Sequence, residues 1–206
     1  GTEWGFGCGE AESRDLFQRY RAAGGNFIDT ADIYTGGTSE RLLGKFIKEL
    51  GCRDEVVLAT KFTLGGRAGD PNSAGNGRKS ILRAVEGSLG RLQTDYIDLY
   101  WMHAWDRFTP IDETMRALDD LVRAGKVRYV GVSDTPAWKV AQAQVLAEWK
   151  AWTPFIALQI EYSLIERTVE ADLLPMAREF NLGVTPWSPL RGGALSGKYT
   201  RANAGS

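Results

Sequence analysis

The chain has 206 residues, of which 43% are apolar and 25% charged, and its formal net charge is −1 at pH 7. This length and composition are ordinary for a soluble globular protein with one domain. The near-zero net charge gives no electrostatic basis for binding nucleic acid or an anionic membrane. No apolar run approaches the roughly 18–20 residues that span a bilayer, and no basic segment followed by an apolar one opens the chain. We therefore predict a cytoplasmic protein with no nucleic-acid and no membrane partner, and the oligomeric state stays open.

Cysteine and histidine are too sparse to build a metal centre. The two cysteines, Cys8 and Cys52, form no C-x-x-C pair and have no metal-ligand spacing, so we predict two reduced thiols. The single histidine, His103, excludes a multi-histidine site. The sequence therefore predicts no metal site. Because His103 is the single histidine of the chain, it becomes a stronger candidate for a reactive group.

Short apolar runs alternate along the chain with segments whose apolar residues recur at helical spacing. The predicted strands are residues 27–29, 56–61, 96–103, 127–133, 155–160 and 183–187. The predicted helices are residues 11–23, 38–50, 81–92, 110–125, 136–149 and 173–180. Thr38 or Ser39 is the expected N-cap of the second helix. Residues 188–206, rich in glycine, serine and alanine, show no clear element.

The predicted strands are apolar along nearly their whole length, as expected for a parallel sheet covered by helices. Two α/β folds fit this pattern: an open doubly wound sheet, or a (β/α)8 TIM barrel. A barrel collects reactive groups at the carboxyl ends of many strands, and here a polar or aromatic residue closes five of the runs. These residues are Asp29, Lys61, His103, Ser133 and Trp187. We therefore predict the barrel.

The predicted barrel is incomplete, because about six strands are visible where a closed barrel has eight. We predict that residues 1–206 form a single barrel domain that is truncated at both ends and belongs to a longer protein. The alternative is that domain swapping or oligomerisation fills the gap, because an open barrel leaves two parallel edges exposed.

Four side chains could form one proton-transfer site: Asp29, Tyr34, Lys61 and His103. A phenol is a poor acid near neutrality, with a pKa of about 10, and a nearby ammonium makes its proton easier to release. A carboxylate holds the ammonium charged and in place, and an imidazole can orient the oxygen that receives the proton. Each residue alone also has an ordinary explanation, such as a turn, a solvated strand end or a core histidine. Together, at successive strand ends, they favour proton delivery to a carbonyl oxygen.

Reduction of that carbonyl would require a cofactor, since no side chain can supply hydride. Ser133 and Gln159, on adjacent strands, could hydrogen-bond a carboxamide, and Trp187 offers a flat face to a nicotinamide ring. The loop that follows provides backbone amides and cations suited to a pyrophosphate. The candidate residues in that loop are Ser188, Pro189, Leu190, Arg191, Gly192 and Lys198.

Six motifs in chain order carry a family resemblance. They are Phe-Ile-Asp-Thr-Ala at 27–31 with Tyr34 and Gly37 to Glu40, Ala-Thr-Lys at 59–61, Asp-Tyr-Ile-Asp-Leu at 95–99 with His103, Gly-Lys-Val-Arg-Tyr-Val-Gly-Val-Ser at 125–133, Gln-Ile-Glu-Tyr-Ser at 159–163 and Trp-Ser-Pro-Leu at 187–190. In this order and combination the sequence resembles the aldo-keto reductases over nearly its whole length. Its short loops and the Gly-Lys-Tyr at 197–199 look closer to the bacterial and potassium-channel β-subunit branches of that family than to the mammalian aldose reductases.

The resemblance implies a (β/α)8 barrel that reduces an aldehyde or ketone with NADPH rather than NADH. It also implies that Tyr34 is the general acid, that Lys61 and Asp29 tune it, and that His103 orients the carbonyl. The cofactor-binding residues that it implies are Asp29, Ser133, Asp134, Gln159, residues 187–192 and Lys198.

Two features of the sequence depart from the family pattern. The family usually has asparagine after Ser133, and this chain has Asp134. A carboxylate accepts a hydrogen bond from a carboxamide but does not donate one to its oxygen, so the nicotinamide contact at Asp134 stays open. The segments that grip the adenosine 2′-phosphate in the family have no counterpart in this sequence, which leaves the choice between NADP and NAD undetermined.

Two other functions fit the same motifs. A non-catalytic NADP-binding or regulatory module on this scaffold would bind the cofactor without oxidising it when aldehydes are added. A fragment that is inactive because its barrel is incomplete would fail to bind NADPH tightly in a fluorescence titration.

The substrate is predicted to be a small carbonyl compound whose pocket is lined by loops. The candidate pocket walls are Trp4, Phe62, Trp105 and Phe108. Aromatic walls favour apolar or aromatic carbonyls.

Overall fold

The structure is a computed structural model that describes residues 7–66, 69–70 and 72–199. Its centre is one sheet of six parallel strands. The strands are Phe27–Asp29 (β1), Val57–Phe62 (β2), Ile97–Met102 (β3), Val127–Ser133 (β4), Phe155–Glu161 (β5) and Gly183–Trp187 (β6). All six predicted strands are present, and their ends differ from the prediction by no more than one residue.

An α-helix precedes β1, and one follows each of the first five strands. The helices are Glu10–Ala22 (α1), Thr38–Leu50 (α2), Arg78–Leu92 (α3), Ile111–Arg123 (α4), Ala137–Lys150 (α5) and Leu173–Glu179 (α6). A 3-10 segment, Arg191–Ser196, lies in the tail for which the sequence predicts no element, so that prediction is wrong over this segment. In the described ranges no helix has both the length and the apolar character needed to cross a membrane.

The second helix begins after a glycine rather than after the hydroxyl predicted to cap it. Gly37 precedes α2 with a φ of 82°, and Thr38 is already the first helical residue. The Ser39 hydroxyl accepts a hydrogen bond from Thr30 Oγ1 at 2.8 Å, and the Thr38 hydroxyl accepts one from Arg41 at 3.2 Å. The predicted Thr38 or Ser39 N-cap is therefore wrong, because a left-handed turn that glycine adopts freely ends the preceding loop.

The strands follow one another in the sheet in the order β1-β2-β3-β4-β5-β6. A doubly wound sheet reverses its strand order at a switch point, so the sequential order excludes that alternative. The sheet curls as half of a barrel, which confirms an α/β fold consistent with a partial (β/α)8 barrel. In the part of the chain that the structure describes, β1 pairs only with β2 and β6 only with β5.

The main hydrophobic core lies between the helices and one face of the sheet. Helix α4 shows how the sequence builds it, because its apolar residues recur every three or four positions and form one stripe. Three of them, Met115, Leu118 and Leu121, are buried against the strands and neighbouring helices. Burying a side chain of this size contributes about 1.5–3 kcal/mol, so this stripe fixes the helix on the sheet.

A smaller cluster fills the other face of the sheet, and Trp101 is its largest member. Trp101 is fully buried and pairs in register with Lys61 on β2 and with Gly131 on β4. A Cβ atom on Gly131 would lie 2.4 Å from the indole ring, so glycine leaves the room that the ring needs. Side chains in register on parallel strands share a face, and Lys61 therefore lies on this inner face.

Candidate active site

Lys61 lies near the carboxyl end of β2 and is fully buried. Its ammonium forms an ion pair with the Asp29 carboxylate at the end of β1, and it donates a hydrogen bond to the Thr30 carbonyl oxygen at 2.8 Å. Burying an ammonium is costly unless it is paired and hydrogen-bonded, and these two contacts meet both needs. The Asp29 side chain is 29% exposed, so the pair meets solvent on the carboxylate side.

Tyr34 follows β1 in a tight loop that brings its phenol to Lys61. The backbone is left-handed at Thr35 and Gly36, with φ of 49° and 60°, which is uncommon for a residue such as threonine. The Lys61 ammonium donates a hydrogen bond to the Tyr34 hydroxyl at 3.4 Å and lies 4.9 Å from the centre of its ring. Tyr34 is also 42% exposed. Its phenol therefore contacts a buried cation and remains accessible to solvent.

His103 comes directly after β3 and meets Tyr34 edge to face. The two ring centres are 5.9 Å apart with an interplanar angle of 80°, a favoured aromatic geometry. Burial, followed by the nearby charge of Lys61, lowers the pKa of His103 from 6.5 to about 4, so the imidazole is neutral at pH 7. Its Nδ1 atom is buried with no hydrogen-bond partner among the described residues, which leaves Nε2 as the nitrogen that can meet a ligand.

A cavity of about 250 Å³ joins these groups at the carboxyl ends of the strands. Its lining residues are Tyr34, His103, Ser133, Asp134, Gln159 and Trp187. Pockets for whole ligands usually measure roughly 300–1,000 Å³, so this cavity suits a single ring rather than a dinucleotide. The cavity therefore brings two of the four predicted proton-transfer residues, Tyr34 and His103, together with four of the residues predicted to hold a cofactor; Lys61 reaches it through its hydrogen bond to the Tyr34 hydroxyl.

A hydrogen bond joins two residues that line this cavity, Asp134 after β4 and Trp187 at the end of β6. Trp187 Nε1 donates to Asp134 Oδ1 at 3.1 Å. Burial raises the pKa of the Asp134 carboxyl, and the hydrogen bond from Trp187 opposes that shift. The bond fixes the indole at the edge of the cavity and occupies one of the two carboxylate oxygens.

The loop after β6 is tightly turned, with φ of 54° at Ser188, 47° at Arg191 and 60° at Gly192. The Ser188 hydroxyl accepts a hydrogen bond from the Gly192 N–H at 3.3 Å. Arg191 forms ion pairs with Glu161 and with Glu166, so its charge is engaged within the protein. The other predicted cofactor residues of this loop, all exposed, are Pro189, Leu190 and Lys198.

A comparison with known protein families identifies the family of this chain. A model described as the aldo/keto reductase family matches residues 3–206. The chain belongs to the aldo/keto reductase family. The predicted family is thereby confirmed. The predicted branch within the family stays a prediction.

The curated relatives of this aldo/keto reductase include fungal and bacterial oxidoreductases. Norsolorinic acid reductase of Aspergillus flavus is 44% identical over 188 residues, which are 89% of this chain and 48% of that protein. The uncharacterized oxidoreductase YrpG of Bacillus subtilis is 45% identical over 190 residues, 87% of this chain and 58% of that protein. The probable aryl-alcohol dehydrogenase AAD4 of Saccharomyces cerevisiae is 41% identical over 191 residues, 89% of this chain and 58% of that protein. The chain thus spans about half the length of these relatives.

The predicted walls of the substrate pocket are scattered in this aldo/keto reductase. Trp4 lies outside the described residues. Phe62 is fully buried in the main core, with its ring centre 4.9 Å from that of Tyr100. The structure does not bring Phe62 to the cavity, because side chains alternate along a strand and the preceding residue, Lys61, takes the cavity face. Trp105 and Phe108 lie in the loop after β3, and Phe108 is 95% exposed.

Sequence reasoning missed Asp32, which lies in the loop between Asp29 and Tyr34. Its Oδ1 atom is buried and has no hydrogen-bond partner in the described part of the protein. Burial, with a further contribution from the Glu40 charge, raises the pKa of Asp32 from 3.8 to about 7. The only sequence signal was its position inside the first family motif, since burial of a loop carboxyl cannot be read from spacing.

The raised pKa of Asp32 predicts that this carboxyl's own contribution to folding stability falls as the pH rises, opposite in sign to the contribution of the lowered pKa of His103. Between the ordinary value of 3.8 and about 7 the folded protein keeps a proton that the unfolded chain has lost, so the stabilisation present at low pH disappears through this range. A pKa difference of about three corresponds to roughly 4 kcal/mol. We expect Asp32→Asn to be more stable than the native protein at pH 8, by about 2–4 kcal/mol, in urea unfolding.

The matched control for this experiment is Asp95→Asn, which changes an exposed carboxyl in the turn before β3. Its stability should follow the native pH profile. If Asp32→Asn kept the same slope between pH 4 and pH 8, the Asp32 carboxyl would not be the group that titrates there.

Proposed function

We propose that this aldo/keto reductase reduces an aldehyde or ketone to an alcohol with NADPH, and that Tyr34 is the general acid. The observation that carries the proposal is the position of the Tyr34 hydroxyl. It lies 3.4 Å from Lys61 Nζ, and Tyr34 shares one cavity with His103. Family membership and the oxidoreductase names of the relatives support the same class of reaction.

In this proposal Tyr34 gives its proton to the carbonyl oxygen while the carbonyl carbon is reduced. The Lys61 ammonium stabilises the phenolate that remains, since opposite charges attract strongly where water is excluded. Asp29 and the Thr30 carbonyl hold that ammonium under the phenol. The charge is therefore in place before the reaction, and no reorganisation is needed during it.

His103 orients the carbonyl and does not act as the acid. Its pKa of about 4 keeps the imidazole neutral at physiological pH. In the tautomer that carries the proton on Nε2, that nitrogen can donate a hydrogen bond to the carbonyl oxygen. The same oxygen then meets the Tyr34 hydroxyl, because the two rings are in edge contact.

When bound, the reduced nicotinamide supplies the hydride. The cavity residues suit its ring, because Trp187 offers a flat face while Ser133 and Gln159 carry hydrogen-bonding groups. Asp134 can accept from a carboxamide N–H with Oδ2, because Trp187 uses only Oδ1. The family's usual asparagine would also donate, so this chain would hold the carboxamide with one contact fewer.

We assign residues 188–192 and Lys198 to the pyrophosphate. Arg191 would have to exchange its carboxylate partners for phosphate oxygens on binding. The preference for NADPH over NADH and a cytoplasmic location are part of this proposal and rest on the sequence.

The substrate we propose is an aromatic carbonyl compound. The aromatic residues of the loop after β3 support this choice, as does the curated relative named as an aryl-alcohol dehydrogenase. The direction of the reaction depends on the ratio of reduced to oxidised cofactor.

The proposal predicts that the purified gene product oxidises NADPH only when an aldehyde is added. The measurement is loss of NADPH absorbance with a panel of aromatic and aliphatic aldehydes, repeated with NADH. We expect turnover with aromatic aldehydes, and faster turnover with NADPH than with NADH. Cofactor binding by fluorescence without turnover on any aldehyde would favour the non-catalytic module, and absence of both would refute the proposal.

A further inference from the structure

The loop after β3 and the first turn of α5 carry a compact group of two tryptophans and two cations, which we call the tryptophan patch: Trp105, Arg107, Trp138 and Lys139. The ring centres of the tryptophans are 5.5 Å apart, with an interplanar angle of 84°. The Lys139 ammonium lies 4.6 Å from the centre of Trp138 and 5.6 Å from that of Trp105. The Arg107 guanidinium lies 6.0 Å from the centre of Trp105. Flat apolar surface and positive charge are thus presented together.

Both cations of the tryptophan patch keep their charge uncompensated. Within the described ranges of the chain, neither Arg107 nor Lys139 has a carboxylate within 4.0 Å. The side chain of Lys139 donates to the neutral Gln142 amide at 2.8 Å. Neither cation is therefore committed to a carboxylate of the described protein, and both are able to meet an anionic ligand.

The acid in the same loop, Asp106, is occupied elsewhere. It accepts hydrogen bonds from the Thr109 hydroxyl at 2.6 Å, the Phe108 N–H at 2.8 Å and the Asn76 N–H at 3.1 Å. These bonds hold the pKa of the Asp106 carboxyl below its usual value, against the opposing effect of its burial. Asp106 therefore shapes the loop and leaves Arg107 free to meet a ligand.

Lys139 also stands where a helix disfavours a cation. It lies in the first turn of α5, which has no acidic residue in that turn. The N-terminus of a helix carries partial positive charge and favours anions. Lys139 adds its own positive charge to this end of the helix. The combined positive potential attracts a negative group.

The tryptophan patch adjoins the candidate active site. Trp105 is two residues after His103, and Trp138 is four residues after Asp134. Both His103 and Asp134 line the cavity, and both loops leave the same edge of the sheet because β3 and β4 are parallel neighbours. The patch and the cavity therefore lie at the same edge of the sheet.

We propose that the tryptophan patch selects substrates with an aromatic body and an anionic substituent, with Trp105 and Trp138 packing against the ring and Lys139 and Arg107 holding the anion. This inference rests on the proposed carbonyl reductase function and narrows its substrate class. The two cations attract a carboxylate carried by the ring, and the aromatic faces take the ring by stacking.

The test compares 4-formylbenzoate with its methyl ester, which keeps the aromatic aldehyde but replaces the negative charge by one methyl group. We expect the native gene product to have the lower KM for the acid. Lys139→Gln should raise the ratio of KM for the acid to KM for the ester by about 2- to 5-fold, in the range of a partly exposed charge pair. The Arg107→Gln, Lys139→Gln double variant should raise it further. Added salt should raise the KM of the native protein for the acid, and the double variant should respond less.

The matched control is Lys150→Gln. Lys150 lies on the same helix, 4.0 Å from the ring centre of Trp149, at the opposite end from the patch. Its variant should keep the native ratio of KM values. A ratio that is the same in the double variant and in the native protein would overturn the proposal.

The same compounds separate failure of this inference from failure of the proposed function. If neither aldehyde is reduced, the reductase proposal fails, and the preference for charge is then read from quenching of tryptophan fluorescence by the two compounds. Tighter binding of the acid that is lost in the double variant would support the patch as an anion-selective site. Equal binding of acid and ester would overturn it.

Discussion

Replacing Tyr34 by phenylalanine should lower kcat by about 10²- to 10⁴-fold, the usual contribution of a positioned general acid. The change removes only the hydroxyl, so the ring keeps its edge contact with His103 and its position beside the Lys61 ammonium. NADPH binding should stay within about twofold of the native value, because the hydroxyl is assigned to the substrate. The measurements are steady-state turnover with an aromatic aldehyde and fluorescence titration with NADPH.

The control for this experiment is Tyr129→Phe, which removes the hydroxyl of an exposed tyrosine on β4 that does not line the cavity. It should keep native turnover. A Tyr34→Phe variant that retained the native rate would show that another group delivers the proton, and the assignment of the acid would be wrong.

Replacing Lys61 by methionine should also reduce kcat by about 10²-fold or more, because the phenolate would lose the cation that stabilises it. The side chain of methionine fills a similar volume in this fully buried position. The carboxylate of Asp29 would lose its partner but keep contact with water, since its side chain is 29% exposed. Stability should therefore fall less than the 3–5 kcal/mol typical of an unpaired buried charge, by about 1–2 kcal/mol.

The double variant Asp29→Asn, Lys61→Met separates stability from catalysis. Removing both charges should restore the free energy of unfolding lost in Lys61→Met, because no unpaired charge remains, while turnover stays low. Lys48→Met, at an exposed position on α2, should match the native protein in both measurements. Recovery of turnover in the double variant would contradict the role assigned to the ammonium.

The strands and their order in the chain could be predicted because their signal is local. Each strand is a short, nearly continuous apolar run between helical segments, and the observed ends lie within one residue of the prediction. The choice between the two sheet topologies needed only the position of polar groups at the strand ends. The cap of α2 could not be predicted in the same way, because it depends on the left-handed backbone at Gly37 rather than on a hydroxyl.

The candidate site was predicted where it depends on strand ends and missed where it depends on contacts between distant segments. Lys61 and His103 close apolar runs, so the sequence points to them directly. The ion pairs of Arg191 join it to acids about 25–30 residues earlier in the chain, and no periodicity reports that. The prediction that Phe62 lines the pocket is wrong, because the two-residue alternation of β2 places its side chain on the face opposite Lys61, in the main core.

The sequential strand order has a consequence for how activity arises. The cavity draws its lining residues from positions between 34 and 187, so no contiguous peptide carries a functional part of it. Pairing of parallel strands joins residues far apart in sequence, and such contacts form late in folding. Helices can form while the cavity is still missing. Circular dichroism would therefore detect helices in a partly folded chain, whereas turnover requires the completely assembled sheet.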